Sequence, residues 1–400
     1  MIQPLKIIIA GGGIGGAAAA LALLRKGYDV EVYEQAAELG EVGAGVQISP
    51  NGSRALDYLG VLNTLKDLSC APERKEFRLW NTGDSWPMFD LGARALDQYG
   101  FPYLTVYRPD LLATLVDAVR DIKPDAFHLG STVVSIHQDA DCASLTLQDG
   151  TVVSGDLVIG ADGVKSSVRR ELWGPDDPRF AGMIAWRAVI PMKDLPEHMQ
   201  KMVGSTWIGP GGHVVNYPLR DGTLMNFVGT IERDDWEVES WRVEGTEQEC
   251  LNDFDGWHED VRALIKSAPV LLKWAFGERE PMQQWSKGRI SLLGDACHPT
   301  LPFLAQGAVM AIEDGVVLSR CLEKYAAQSP QQALLHFEAA RVQRTSDMVL
   351  GARANTDRFH SAELVDKVRA EEYLTKEMGA DPLHDRYHWL YIYDVATAEI

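Results

Sequence analysis

Long uninterrupted apolar stretches are missing from this chain of 400 residues. No segment reaches the roughly 18 apolar residues that a membrane span requires, so no membrane partner is expected. Cysteine is scarce: Cys70, Cys142, Cys250, Cys297 and Cys321 are scattered, odd in number and form no CxxC pair. That spacing supports neither a disulfide scaffold nor a thiolate metal site. The ten histidines include no HExxH, and no metal is expected. Basic residues are few, 38 against 57 acids, for a formal charge of -19. Such a balance argues against a nonspecific nucleic-acid surface. It leaves room for a small anion held by local groups. Internal repeats and low-complexity linkers are absent. The short start before the first apolar run has only Lys6 charged nearby and lacks a signal peptide's basic stretch and cleavage site. A cytoplasmic location is therefore expected.

What the sequence has is glycine in a telling place. The opening LKIIIAGGGIGGAAAALALLRKGYDVEVYEQ reads as a strand, a tight glycine turn, a helix and a second strand ending at Glu34. Gly11 lets the chain turn, Gly13 lets a pyrophosphate approach the backbone, and Gly16 lets the helix pack closely. N–H groups at the helix start would meet phosphates. Glu34, 18 residues past Gly16, is placed to accept hydrogen bonds from ribose hydroxyls. The unit predicts dinucleotide binding, either FAD or NAD.

Beyond it, glycines from Leu39 to Pro50 allow backbone to approach a flat ligand, and 51–65 reads as one helix. A looser segment, 70–106, carries strand signals at Phe77–Trp80 and Trp86–Phe89. Pro109 starts a helix with Leu112, Leu115, Val119 and Ile122 at helical spacing. Short strands follow near 127–129, 133–137, 144–147 and 152–153. The near-continuous apolar run in DLVIGA (156–161) is a buried parallel strand in type. From about 180, alternating runs at Ile184–Ile190, His213–Pro218 and Leu224–Ile231 predict a mostly antiparallel sheet. The stretch 232–249, with eight acids and two arginines, reads as a solvated face needing no partner. Another short strand at 290–293 and helices at 306–325 and 331–358 complete the main pattern. A helical tail at 363–377 precedes an aromatic terminus.

Two further strand ends carry acids. Asp162 and Gly163 follow DLVIGA, where open α/β sheets place ligands, and a helix capped by serine near Ser166 follows. Arg169 and Arg170 can pair with acids or phosphates. Asp295 follows the 290–293 strand in GDACHP, before a proline-rich crossing and the helix at Gln306. With GGGIGG (11–16), EQ (34–35), GAGVQISPN (43–51), YRPDLL (107–112), DLVIGADGVKSSVR (156–169) and GDACHPTLPFLAQGAVMAIED (294–314), the chain resembles the class A flavoprotein aromatic hydroxylases. The resemblance is to enzymes related to salicylate, 3-hydroxybenzoate and 6-hydroxynicotinate monooxygenases, and it runs over almost the whole length.

The resemblance implies an α/β fold like that of 4-hydroxybenzoate hydroxylase: a Rossmann-type FAD-binding domain with an inserted sheet-rich substrate domain. The expected segments are FAD domain 1–72, 107–179 and 286–350, substrate domain 73–106 and 180–285, and a C-terminal helical region 351–400. Gly11, Gly13, Gly16 and Glu34 would hold the ADP half of FAD. Arg108 would reach the phosphate and ribityl region, Asp162 the pyrophosphate region, and Asp295 the ribityl chain. Pro302 and the Gly307–Ala308 backbone would lie beside the reacting edge of the isoalloxazine, with Val46 and Gln47 flanking its other side. NADH, or less favoured NADPH, would bind transiently in a cleft. The implied reaction uses NAD(P)H and O2 to hydroxylate a hydroxylated aromatic carboxylate through a flavin C4a-hydroperoxide. Salicylate to catechol with CO2 release stands first, before ring hydroxylation of 3-hydroxybenzoate or 6-hydroxynicotinate. A flavoprotein oxidase or dehydrogenase, or a noncatalytic flavin-binding redox sensor, would share the cofactor motifs. The chain would be a monomer or homodimer.

A phenol loses its proton most readily beside a base. His213 and Tyr217 in GGHVVNYPL are four residues apart, so a strand points both the same way, and similar enzymes place such a pair beside substrate. Arg187, in the apolar run IAWRAVIP, needs solvent or an anion and is the candidate for the substrate carboxylate, with Trp186 and Tyr103 as weaker pocket candidates. Gln47 stands where 6-hydroxynicotinate monooxygenase-like sequences tend to carry histidine, which disfavours that pyridine substrate. His298 is assigned to turn and helix packing, and Cys297 is not read as a nucleophile.

Overall fold

A computed structural model describes residues 4–40, 44–234, 243–378, 381 and 383–400. Three consecutive isoleucines, fully buried, build the central strand Lys6–Ala10. It pairs in parallel with Asp29–Tyr33 on one side and Leu157–Gly160 on the other. Phe127–His128 extends one edge, and Ile290–Leu292 with the antiparallel Ser286–Lys287 extends the other, giving a six-stranded sheet. The first helix, Ile14–Arg25, is rich in alanine and buried along most of its length. It crosses the helix Gly307–Tyr325 where a Cβ on Gly315 would lie 2.7 Å from the Ala19 nitrogen. Small side chains thus set the separation of these two helices.

The second sheet has eight strands in the order Val243–Gly245, Leu271–Glu278, Arg179–Pro191, Leu224–Glu232, Gly212–Leu219, Val203–Gly209, Arg74–Leu79 and Ser85–Asp90. All its pairings are antiparallel except that of Val203–Gly209 with Arg74–Leu79. Small sheets of three strands (133–155) and two strands (Gly45–Ile48 with Leu104–Tyr107) complete the strand pairing. The first core follows the parallel sheet; two more line the faces of the large one. The α/β architecture is the expected one.

Several elements differ from expectation. The helix expected over 51–65 is two, Pro50–Tyr58 and Leu62–Lys66, because Gly60 turns the chain at φ 66°. The looser segment contains a helix, Ala93–Tyr99, closed by Gly100 in the left-handed conformation. Strand Val203–Gly209 was not anticipated: all seven residues are buried, yet Gly204, Ser205 and Thr206 break the continuous apolar run that marks a buried strand. Of the acidic stretch, 235–242 lies outside the described residues. The described part includes the short helix Glu247–Asp253, opened by a capping box between Thr246 and Glu249. Glu232 is not an idle solvated acid, since it accepts a hydrogen bond from His360.

Candidate active site

Between the two sheets lies a cavity of about 520 Å³. One wall is built by helix starts and strand ends of the parallel sheet. Helix Ile14–Arg25 begins at Gly13 with no side-chain cap, and a Cβ on Gly13 would meet nothing within 4 Å. Helix Gly307–Tyr325 begins the same way after Gln306, and Gly307 and Ala308 line the cavity. Two uncapped N-termini thus bring partial positive charge to one side of the space. Gly11 (φ 104°) packs so tightly that a side chain would collide with the Ala161 carbonyl, and one on Gly16 would collide with that of Gly11. Both hold the turn without lining the cavity.

The acids divide into two kinds. Asp295 lines the cavity, enclosed by protein yet open to the space. Burial pushes its carboxyl up, against the opposing pull of His298 and Arg108. Glu34 closes its own turn, accepting from the Gly12 nitrogen at 2.7 Å and the Ala36 nitrogen at 2.9 Å. Asp162 accepts from the Ser166 and Ser167 hydroxyls and the Val168 nitrogen. Its side chain caps the following helix, while Gly163 and Val164 reach the cavity instead. Arg169 is buried and donates to the carbonyls of Ala296 and Val164, tying the two acid-bearing loops together. Arg108 lines the cavity beside Asp295, and burial lowers its pKa.

The opposite wall is the large sheet. Arg187 from strand Arg179–Pro191 and His213 and Tyr217 from strand Gly212–Leu219, with strand Leu224–Glu232 between the two, all face the cavity. Arg187 is only 7% exposed, with its guanidinium carbon 4.5 Å from the centroid of the Trp274 ring. Burial lowers its pKa to about 10, Arg108 adds repulsion, and Tyr217 partly opposes them. Its Nε has no hydrogen-bond partner, and among the described residues no carboxylate pairs with it. His213 is buried against the Phe303 and Phe359 rings. Desolvation, then the neighbouring His360, holds its pKa well below the ordinary histidine value, so the imidazole is neutral. Burial pushes the Tyr217 phenol up, so it stays protonated.

Val46 and Gln47 arrive on Gly45–Ile48, pinned where the Gly45 nitrogen donates to Asn226 at 2.7 Å. Gly45 has no room for a side chain, since a Cβ would come 2.5 Å from the Tyr217 ring. Gln47 accepts from the Tyr103 hydroxyl at 2.8 Å, and Lys75 Nζ donates to the same hydroxyl at 3.1 Å. Tyr103 thus stands behind the lining. Lys75, not anticipated from the sequence, does line the cavity, and burial lowers its pKa to about 8. Pro302 sits in the short turn Pro302–Leu304, closed by Ala305 at φ 55°. Trp186 is elsewhere, packed in a separate core and donating to Asp253. His298 is buried against Asp314 at 2.6 Å, and Cys297 is buried with its thiol directed to the Gly294 carbonyl. Also unanticipated were the cavity-lining Phe303, Trp274 and Tyr391. Apolar periodicity marks such residues only as core.

A glycine cradle, two uncapped helix starts and a strand-end acid facing one cavity agree with the sequence profile of the FAD binding domain, which matches residues 4–352. The chain belongs to the class A FAD-dependent aromatic hydroxylases. It is 37% identical over 394 residues to the 3-hydroxybenzoate 6-hydroxylase of Polaromonas naphthalenivorans (strain CJ2), covering 98% of this chain and 97% of that protein. To the 6-hydroxynicotinate 3-monooxygenase of Pseudomonas fluorescens it is 37% identical over 358 residues, covering 89% and 92%. A salicylate hydroxylase substrate complex superposes with a TM-score of 0.81 at 24% identity, covering 100% of this chain and 98% of that one. That last likeness shows the fold alone. This hydroxylase is an FAD-dependent monooxygenase. Its donor set fits FAD: N–H groups for phosphates, a carboxylate for hydroxyls, and a glycine at Gly13 that leaves space for the ligand. Among the described residues no helix is long and apolar enough to cross a membrane, and no cluster of three or more metal-ligating side chains occurs.

Proposed function

We propose that this hydroxylase adds one oxygen from O2 to the ring of a hydroxylated aromatic carboxylate, with NADH or NADPH as reductant. The observation that carries this reading is Arg187, a buried guanidinium facing the cavity with no carboxylate paired to it among the described residues. A charge so placed is costly unless an anion meets it. A planar carboxylate accepts two parallel bonds from a guanidinium, which fixes the ring's direction as well as its position. When bound, FAD supplies the redox and oxygen-activating chemistry. The protein positions the ring, excludes water with Phe276, Phe303 and Trp274, and provides His213 as a neutral base for the ring hydroxyl. Tyr217, on the same strand face, stays protonated and can donate to the ring's oxygen.

The order of candidate substrates changes from the sequence reading. Salicylate, first there, rests on a likeness in fold alone. 3-Hydroxybenzoate now stands first, because the relative named for it matches almost end to end. The 6-hydroxynicotinate enzyme is equally identical over a shorter span, and Gln47 keeps that substrate second. The test is Arg187→Ala assayed with 3-hydroxybenzoate and with 3-hydroxybenzamide. Losing a buried charged contact costs about 2–4 kcal/mol, or about 30- to 1,000-fold in KM for the acid. The amide should lose far less, and Arg187→Lys should recover part of the acid's affinity. Equal KM values for the acid in wild type and Arg187→Ala would remove the anchor.

A further inference from the structure

Behind His213 runs a chain of hydrogen bonds that ends at solvent. His213 Nδ1 lies 2.7 Å from His360 Nε2, and His360 Nδ1 lies 2.7 Å from Glu232 Oε1. Residue His213 and the His360 side chain are each 2% exposed, whereas the Glu232 side chain is 51% exposed. The chain therefore leads from a buried cavity wall to the surface in two steps. His360 is held in place from the main chain as well, since the Gly211 nitrogen donates to its carbonyl at 3.2 Å.

Directions of donation follow from the end of the chain. An ionised carboxylate only accepts, so His360 Nδ1 carries the proton and donates to Glu232. In the neutral ring His360 Nε2 is then the acceptor, and His213 Nδ1 must donate to it. The remaining nitrogen, His213 Nε2, holds a lone pair, and His213 lines the cavity. An exposed acid at the far end thus selects, through two rings, the tautomer that makes His213 a base.

We infer that His213, His360 and Glu232 form a proton wire that carries the substrate's ring-hydroxyl proton from the cavity to the surface. The inference rests on the reading of the substrate as a hydroxylated aromatic acid. One proton enters at His213 Nε2 as the O–H bond breaks, the His213 Nδ1 proton passes to His360 Nε2, and the His360 Nδ1 proton passes to Glu232 and solvent. No electron pair leaves the ring oxygen, and each imidazole ends neutral with its proton on the opposite nitrogen. Reverse passage to the product's oxygen resets the wire. Charged and titratable groups acting on His360 are His213 from strand Gly212–Leu219, Glu232 from strand Leu224–Glu232, and Asp357 from its own helix. Burial lowers the His360 pKa while Glu232 and Asp357 raise it, so the ring relays a proton without storing one at neutral pH. His360 and Glu232 are positioning and relay residues, since the only member of the chain that meets substrate is His213.

The experiment follows phenolate formation when 3-hydroxybenzoate is mixed anaerobically with flavin-loaded enzyme, across a range of pH, in wild type, His213→Ala, His360→Ala and Glu232→Gln. His360→Ala should slow deprotonation about tenfold or more, at the low end of what a positioned proton-transfer group contributes. Substrate Kd and flavin content should be unchanged, and added imidazole should restore part of the rate. Glu232→Gln, at an exposed position that the fold tolerates, should slow it less and alter its pH profile and solvent deuterium isotope effect. Wild-type rates and pH profiles in His360→Ala and Glu232→Gln, with His213→Ala slow, would overturn the wire and leave the base intact. Should His360→Ala misfold, a wild-type profile in Glu232→Gln alone overturns it. Wild-type behaviour in His213→Ala, or no deprotonation of the probe by any form, would defeat the substrate reading and the wire with it.

Discussion

His213 shows how surroundings decide the chemistry of one side chain. In an unfolded chain a histidine titrates near 6.5, whereas here burial and His360 keep the ring neutral far below that value. The sign follows from linkage: in acid the unfolded state binds the proton that the folded state refuses. Stability should therefore fall as pH drops below about 6.5, at up to about 1.4 kcal/mol per pH unit for each such ring. His360, also lowered, adds to the slope. Urea midpoints taken between neutral and mildly acidic pH measure it, and His213→Gln should flatten the dependence. An unchanged slope in that variant would place the acid sensitivity elsewhere. At this scale the legible residues were those whose role is written in a local turn. Gly11 and Gly16 are fixed by the strand-to-helix turn that contains them, and Asp295 by its place at a strand end. Lys75, His360 and Glu232 were not legible. Their partners Tyr103, His213 and His360 stand 28, 147 and 128 residues away, and nothing in local spacing brings such pairs together.

Among elements, those with strong periodicity, glycine punctuation or a continuous apolar run were readable, and a buried strand broken by glycine and hydroxyl residues was not. The opening strand, the helices at 307–325 and 330–359, and the alternating strands of the large sheet stand where expected. Strand Val203–Gly209 was not legible because Gly204, Ser205 and Thr206 interrupt its apolar run, and the split of the 51–65 helix turned on one glycine. Close approach of two helices depends on another. A Cβ on Gly315 would meet backbone atoms of Ala18 and Ala19, which cannot rotate away. Gly315→Val should destabilise the protein by about 1–3 kcal/mol through overpacking, read as a lower urea midpoint with reduced flavin retention. A midpoint equal to that of wild type would show that the helices separate without cost.

For the whole molecule, the two sheets matter chiefly as facing walls. Helix Gly307–Tyr325 and helix Pro330–Phe359 are joined behind the cavity by a buried network, in which Arg341 pairs with Glu313 and Asp314, and Arg344 with Glu313. Asn51 donates to the same Glu313, so helix Pro50–Tyr58, which directly follows the strand bearing Gln47, is tied to that network. Breaking such a network by removing one member leaves a buried charge uncompensated, which makes it a rigid backing for the site. The chain's formal charge of -19 would repel an aromatic acid at long range, yet Arg108 and Arg187 line the cavity. Local cations, not net charge, decide what enters, because exposed charges are screened over about 10 Å while buried ones are not.

The central claim is that a flavin and an aromatic acid meet in this cavity so that oxygen reaches the ring. It is tested most directly by turnover of 3-hydroxybenzoate with NADH under oxygen-18 gas, with mass analysis of the product. The expected result is a dihydroxybenzoate that keeps its carboxylate and carries a new hydroxyl labelled from O2. Consumption of NADH with only peroxide formed, and no oxygenated ring from this acid, 6-hydroxynicotinate or salicylate, would contradict it.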